Sequence, residues 1–162
     1  MTVIRDILEV DFDSIIKLND AEVQQTSPMN LERLRFLIGI FSYRKVAIAE
    51  GQVAAFLLAV QEGVIYNNDN YNWFASRFSN FLYVDRIVVG SSFSGQNIGS
   101  KLYHNMFEYA RFHDIKIITC EYNIEPPNPS SRAFHDKFGF NEIGTQWVAS
   151  GTKQVSLQAA ET

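Results

Sequence analysis

Apolar positions recur along this chain with two different spacings, and the changes between them mark out its elements. Met1–Leu8 reads as a short strand. From Asp11 to Gln25 the residues Ile15, Ile16, Leu18 and Val23 fall at helical spacing, with Asp11 or Asp13 placed to cap the start. Pro28 ends that pattern, and Asn30 can cap a second helix carrying Leu31, Leu34, Leu37 and Ile38. Two apolar runs, Arg44–Ala49 and Val53–Gln61, flank Glu50-Gly51-Gln52, which predicts a hairpin. Phe81–Val89 is apolar apart from Asp85 and Arg86, as a strand buried on both faces must be. Ile98–His113 lines up Ile98, Leu102, Tyr103, Met106, Phe107 and Ala110 on one helical stripe. The run IKIITCEYNI predicts a further strand. A short helix follows near Ser130–Phe138, stopped by Gly139, and strands at about Glu142–Ala149 and Lys153–Gln158 flank Ser150-Gly151.

One stretch has neither spacing. Glu62–Asn80 is dense in Asn, Tyr, Trp and Phe, and is expected to form a lid over a site rather than a disordered excursion. The element order is therefore strand, two helices, three strands, helix, strand, helix, two strands. That order predicts an α+β fold (an α/β mixed sheet) with helices packed on the sheet, built as a single domain over residues 1–162.

Composition narrows the partners. A chain of 162 residues, 46% hydrophobic and 20% charged, can bury the core of one globular domain. The net charge of −4, with no run of five or six like charges, lacks the basic footprint of nucleic-acid binding. Cys120 is the only cysteine, which excludes an intramolecular disulfide and a cysteine-rich metal site. His104, His113 and His135 lack i, i+4 spacing, so no metal is expected. The N-terminus has no signal-like apolar core and no run approaches eighteen apolar residues. No membrane association and a cytoplasmic location are expected.

The junction of strand, SGQNIGS and helix is the first chemically suggestive feature. A helix start offers backbone N–H groups and the positive end of the helix dipole to phosphate oxygens. Small residues (Ser94, Gly95, Gly99, Ser100) let such a ligand approach the backbone. The loop is neither a Walker motif nor a GxGxxG dinucleotide fingerprint. RIVVGSSFSGQNIGSKLY resembles motif A of the Gcn5-related N-acetyltransferases (GNAT), written Arg/Gln-x-x-Gly-x-Gly/Ala after a long strand. NPSSRAFHDKFGF resembles that family's second signature, an Asn followed by a helix ending in Gly-Phe. The strand order matches as well, over essentially the whole chain.

The resemblance implies the GNAT fold, a central mixed, mostly antiparallel sheet flanked by about four helices. It also implies acetyl-coenzyme A as co-substrate and direct transfer of the acetyl group to an amine. Ile87, Val88 and Val89 would present strand backbone to the pantetheine arm. Gly95, Gln96, Asn97, Ile98, Gly99 and Ser100 would wrap the pyrophosphate, and Asn128 would meet the coenzyme near its pantetheine end. Two positions depart from the family pattern. Asn97 stands where the first motif Gly is usual, and Asn tolerates the left-handed backbone such a loop needs. Ser94 replaces the usual Arg or Gln and removes a phosphate partner.

Acetyl transfer needs a neutral amine, a polarised thioester carbonyl and a proton for the departing thiolate. Asp85 and Glu121 are the acids at strand positions fit to take the amine's proton, and the resemblance implies that role for Glu121. The bland reading of either acid is a structural salt bridge with Arg86. Tyr83 and Tyr122 either line a cleft or pack a core. In the family pattern a Tyr four residues before the Gly of Gly-Phe protonates the thiolate. His135 stands there and could act as the general acid, or be an ordinary surface histidine. Trp73, Phe74 and Arg77, from the aromatic stretch, are the candidates for acceptor contact, with a dimer contact as their other use.

Three functions fit these residues: an N-acetyltransferase for a small amine or amino acid, a coenzyme-binding sensor or interaction module without catalysis, and a protein or peptide N-acetyltransferase.

Overall fold

The computed structural model describes residues 1–22 and 26–162. In chain order the elements are β1 (Thr2–Asp6), α1 (Phe12–Ala21), α2 (Leu31–Ile40), β2 (Tyr43–Ala49), β3 (Gln52–Gln61), α3 (Asp69–Ala75) and β4 (Leu82–Val89). They continue with α4 (Ile98–Phe112), β5 (Ile117–Glu125), α5 (Pro129–Lys137), β6 (Asn141–Val148) and β7 (Lys153–Glu161). The strands form one sheet of order β1-β2-β3-β4-β5-β7-β6, antiparallel where registered except for parallel β4 and β5. The forecast extension of the first helix through Val23 to Gln25 falls outside the described residues.

The residues gather in two compact units, Met1–Val60 with Asp85–Tyr109, and Gln61–Val84 with Ala110–Thr162. In the first unit β1, β2 and β3 form an antiparallel meander. Its β2–β3 turn is two residues long, with Glu50 and Gly51 both at positive φ, the mirror-image turn that suits strand twist. Asn30 caps α2 by accepting from the Arg33 N–H, as its position before an apolar-periodic run predicted. Ile15, Leu34, Leu37, Val46 and Phe56 are completely buried and form this unit's core with Leu102 and Met106 of α4.

In the second unit β5 pairs with β7 from Ile117 to Glu125, and β7 with β6. Its core is aromatic: Tyr71, Phe74, Phe81 and Tyr83 are each under 2% exposed. The aromatic stretch departs from expectation here. Glu62–Asn80, in which neither spacing was expected, contains α3, whose start Asn68 caps by accepting from the Tyr71 N–H at 2.9 Å. The reason is packing: Asn70, Tyr71 and Phe74 lie at helical spacing, and their burial outweighs the weak helix propensity of an Asn-rich segment. The described helices therefore number five where the spacing predicted four.

Candidate functional site

β4 leads into the SGQNIGS loop through Gly90. A Cβ there would come 3.1 Å from Leu18 Cδ2 and 3.2 Å from the Ala54 carbonyl, to which the Gly90 N–H donates at 2.8 Å. Sequence reasoning passed over this glycine, although a Gly closing a buried strand is the usual sign of close backbone approach. The chain then turns at Ser91–Phe93, with Phe93 buried, and exposes Ser94, Gly95, Gln96 and Asn97. Gly95 has φ +80° and Asn97 φ +59°, so the residue at the usual glycine position does adopt the left-handed conformation. The Asn97 carbonyl accepts from the Lys101 N–H, starting α4, in which Ile98 is buried and Gly99 and Ser100 are half-buried. The Ser94 hydroxyl donates to the Ser91 carbonyl, tightening the loop.

Along β4, Ile87 and Val89 are half-buried and Val88 is buried. The registered pairs of β4 with β5 are two, Leu82 with Ile118 and Tyr83 with Thr119. Asp85 and its neighbour form an ion pair: Arg86 Nε donates to Asp85 Oδ2 at 2.7 Å, with side-chain exposures of 5% and 2%. Arg86 Nη1 also donates to Asn19 Oδ1 and to the Ser27 carbonyl, so the pair sits in a wider buried network. This is the structural pairing that was the alternative reading of Asp85.

Glu121 has a different environment. The Tyr83 hydroxyl lies 2.7 and 2.8 Å from its two oxygens and donates to the carboxylate. Tyr83 is held in turn by rings of α3, Tyr71 at 5.9 Å and Phe74 at 5.8 Å between centroids. Two sequence candidates, Tyr83 and Glu121, are thus brought together, and Phe74 stands behind them, wholly buried. Trp73 is half-buried; Arg77 stacks on its ring at 3.5 Å and donates to the Trp73 carbonyl and the Ser76 hydroxyl.

His135 is buried at 4% exposure, not on the surface. Glu121 and Tyr122 are consecutive in β5 and project to opposite faces. The His135 ring lies against Tyr122 at 5.7 Å and Phe140 at 5.2 Å, on the face away from Glu121. Its Nδ1 lies 2.7 Å from the Ser131 carbonyl, so that nitrogen carries the hydrogen. Burial holds the imidazole below its ordinary pKa, against a smaller upward pull from that bond and from Asp136. Asn128 caps α5 by accepting from the Ser131 N–H. Tyr122 is buried too, and its hydroxyl accepts from Gln158 Nε2 at 3.1 Å. Cys120 is buried, and burial with the adjacent Glu121 charge pushes its thiol well up. Among the described residues no three His, Cys, Asp or Glu side chains gather as a metal site would need, and no helix is long and apolar enough to cross a membrane.

The profile of the acetyltransferase (GNAT) family matches residues 5–140. Among solved structures, Ard1 from Thermoplasma volcanium aligns with a TM-score of 0.81 at 13% identity, covering 99% of this chain and 97% of that one. The ribosomal-protein-alanine N-acetyltransferase from Brucella melitensis aligns at 0.76 and 22% identity, covering 99% of both chains. The NatC complex bound to Gag peptide and CoA aligns at 0.77 and 15% identity, over 99% of this chain and 98% of that one. At such identities these likenesses concern the fold. None of the curated protein sequences matches the chain significantly.

Proposed function

The chain belongs to the acetyltransferase (GNAT) family, and we propose that it is a cytoplasmic, single-domain N-acetyltransferase that moves the acetyl group of acetyl-coenzyme A onto the amine of a small molecule or amino acid. The observation that carries this reading is the Tyr83–Glu121 hydrogen bond, a carboxylate held by a buried phenol on the strand that follows the coenzyme-type loop and its helix. Gly95–Ser100 hold the pyrophosphate at the start of α4, and the backbone of Ile87–Val89 together with Asn128 receives the pantetheine arm. Glu121 takes the proton of the acceptor ammonium. The freed amine nitrogen then attacks the thioester carbon, the C–N bond forms, the C–S bond breaks, and the proton that nitrogen sheds on becoming an amide goes to the departing sulfur, so that coenzyme leaves as its thiol. A thiol of ordinary pKa near 8.5 is a fair leaving group, so this step makes a small demand on a proton donor. His135, held neutral by its burial, is a weak donor at neutral pH. Asp85, committed to Arg86, is a less apt base than Glu121. Tyr83, Trp73 and Arg77 form the acceptor side, with Phe74 fixing Tyr83 from behind.

The test combines binding and turnover. Acetyl-coenzyme A at a hundred times its dissociation constant should stabilise the fold by about 2.7 kcal/mol, while NAD and ATP leave the melting temperature unchanged. Gly99→Val should abolish the shift in a folded protein, because a branched side chain displaces the pyrophosphate. Thiol release against a panel of amines, amino acids and peptides identifies the acceptor, and Glu121→Gln should lower kcat on it by about a hundredfold or more and remove the acid limb of its pH profile. The reading fails if acetyl-coenzyme A gives no shift, or if Glu121→Gln keeps the parent's turnover.

A further inference from the structure

Gly144 lies where the pairing of β6 with β7 slips, between Glu142 and Gly144. A Cβ built on it would stand 2.5 Å from Trp73 Cζ2 and 2.8 Å from Trp73 Cη2, far inside van der Waals contact. Its φ is not among the positive ones, so this glycine supplies room rather than backbone freedom. The room is taken by Trp73 of α3. A second tie joins the same elements, from Gln146 Nε2 on β6 to Asn70 Oδ1 on α3 at 3.0 Å. The next links are aromatic. Trp73 meets Phe74 edge-on at 5.4 Å, Phe74 meets Tyr83 at 5.8 Å, and the Tyr83 hydroxyl bonds the Glu121 carboxylate. An unbroken series of contacts therefore runs from a strand glycine to the acid.

We propose that Gly144 is a positioning residue for the transfer reaction: by admitting the Trp73 ring it sets the place of α3, and through Phe74 and Tyr83 it fixes the phenol on Glu121. This rests on the reading of Glu121 as the base. Packed aromatic side chains transmit a displacement rather than absorb it, because interiors are as dense as organic crystals. A methyl at position 144 must move the indole by about an ångström to regain a normal contact of roughly 3.5 Å. A hydrogen bond weakens steeply with such changes of distance and angle.

The experiment is a carbon-detected NMR titration of the Glu121 carboxyl in the parent, Tyr83→Phe, Gly144→Ala and the double variant Gly144→Ala/Trp73→Phe, with melting curves to establish folding. Tyr83→Phe removes a donor to the charged form, so the Glu121 midpoint should move to higher pH. Gly144→Ala should move it in the same direction. The double variant exchanges ring volume for methyl volume and should return the midpoint toward the parent's. The melting shift with acetyl-coenzyme A should stay the same in all four. A Gly144→Ala midpoint equal to the parent's, a shift that Trp73→Phe does not reverse, or no response to Tyr83→Phe would each overturn the proposal. Should Gly144→Ala fail to fold, Trp73→Phe alone takes its place: it leaves the room beside Gly144 unfilled and should raise the midpoint, and an unmoved midpoint overturns the proposal. Turnover retained in Glu121→Gln would remove the base reading without touching this titration, so the two are decided separately.

Discussion

His135 illustrates how burial, and not residue type, sets the chemistry available to a side chain. A histidine on a nine-residue helix with a charged neighbour at Asp136 reads as an exposed acid–base group in sequence, yet its ring is packed between Tyr122, Phe134 and Phe140. The lowered pKa has a consequence for stability, with a definite sign. As pH falls through about 6.5 the unfolded chain gains a proton that the folded chain resists, so stability is lost on the acid side and complete above it. Urea unfolding between pH 5 and 8 should show this decline, with a slope of at most about 1.4 kcal/mol per pH unit from this one group. His135→Gln should flatten it; an identical acid slope in both proteins would place the cause elsewhere. The residue-level reading of Asn97 went the other way. Its tolerance of positive φ is an intrinsic property, needing no knowledge of neighbours, and φ +59° is what the chain adopts. Asn97→Gly should therefore preserve acetyl-coenzyme A affinity. Asn97→Val, β-branched and strained at that angle, should weaken it by roughly tenfold in a titration calorimeter, about 1.4 kcal/mol, in line with the steric cost.

At the scale of elements, legibility followed the strength of the periodic signal. β4 was readable because a nearly continuous apolar run admits few alternatives, and α4 because fifteen residues give four turns of one stripe. The hairpin turn at Glu50-Gly51 was readable from local chemistry. α3 was not: seven residues, DNYNWFA, make two turns at most, and their Asn content favours caps and turns over helix interiors. Its helical state depends on Tyr71 and Phe74 meeting Phe81 and Tyr83, residues beyond the helix's own two turns, so the spacing within the segment does not show it. The same holds for the site. That Glu121 follows an apolar run could be read directly, whereas its place in the middle of β5 and its bond to Tyr83, thirty-eight positions away, could not. Phe74→Ala offers a measure of this non-local term. Removing a wholly buried ring should cost about 3–5 kcal/mol in chemical denaturation, much more than truncation of the half-buried Phe78 just beyond the helix.

For the molecule as a whole, two compact units share two elements. β4 gives Leu82–Val84 to one and Asp85–Val89 to the other, and α4 divides at Tyr109 and Ala110. Because neither unit keeps a complete β4 or α4 without the other, unfolding is expected to be cooperative. Both tryptophans, Trp73 and Trp147, belong to the second unit. Their fluorescence reports that unit, while far-ultraviolet circular dichroism reports both. The two probes should give one urea midpoint, and separated midpoints would mean that the units unfold independently. The acceptor was the least legible feature at this scale, since a single fold hosts many acceptors and selects among them with a few side chains.

The solitary thiol gives the molecule a built-in clock. Cys120 is sealed in β5 and has its thiolate suppressed by burial, so a disulfide reagent in solution meets only the sulfur of released coenzyme while the protein stays folded. Colour development in a thiol-release assay then counts turnovers with little background from the enzyme itself. Without substrate, the same reagent labels Cys120 only when the strand opens. The labelling rate becomes a record, molecule by molecule, of how often the sheet comes apart at its centre under native conditions.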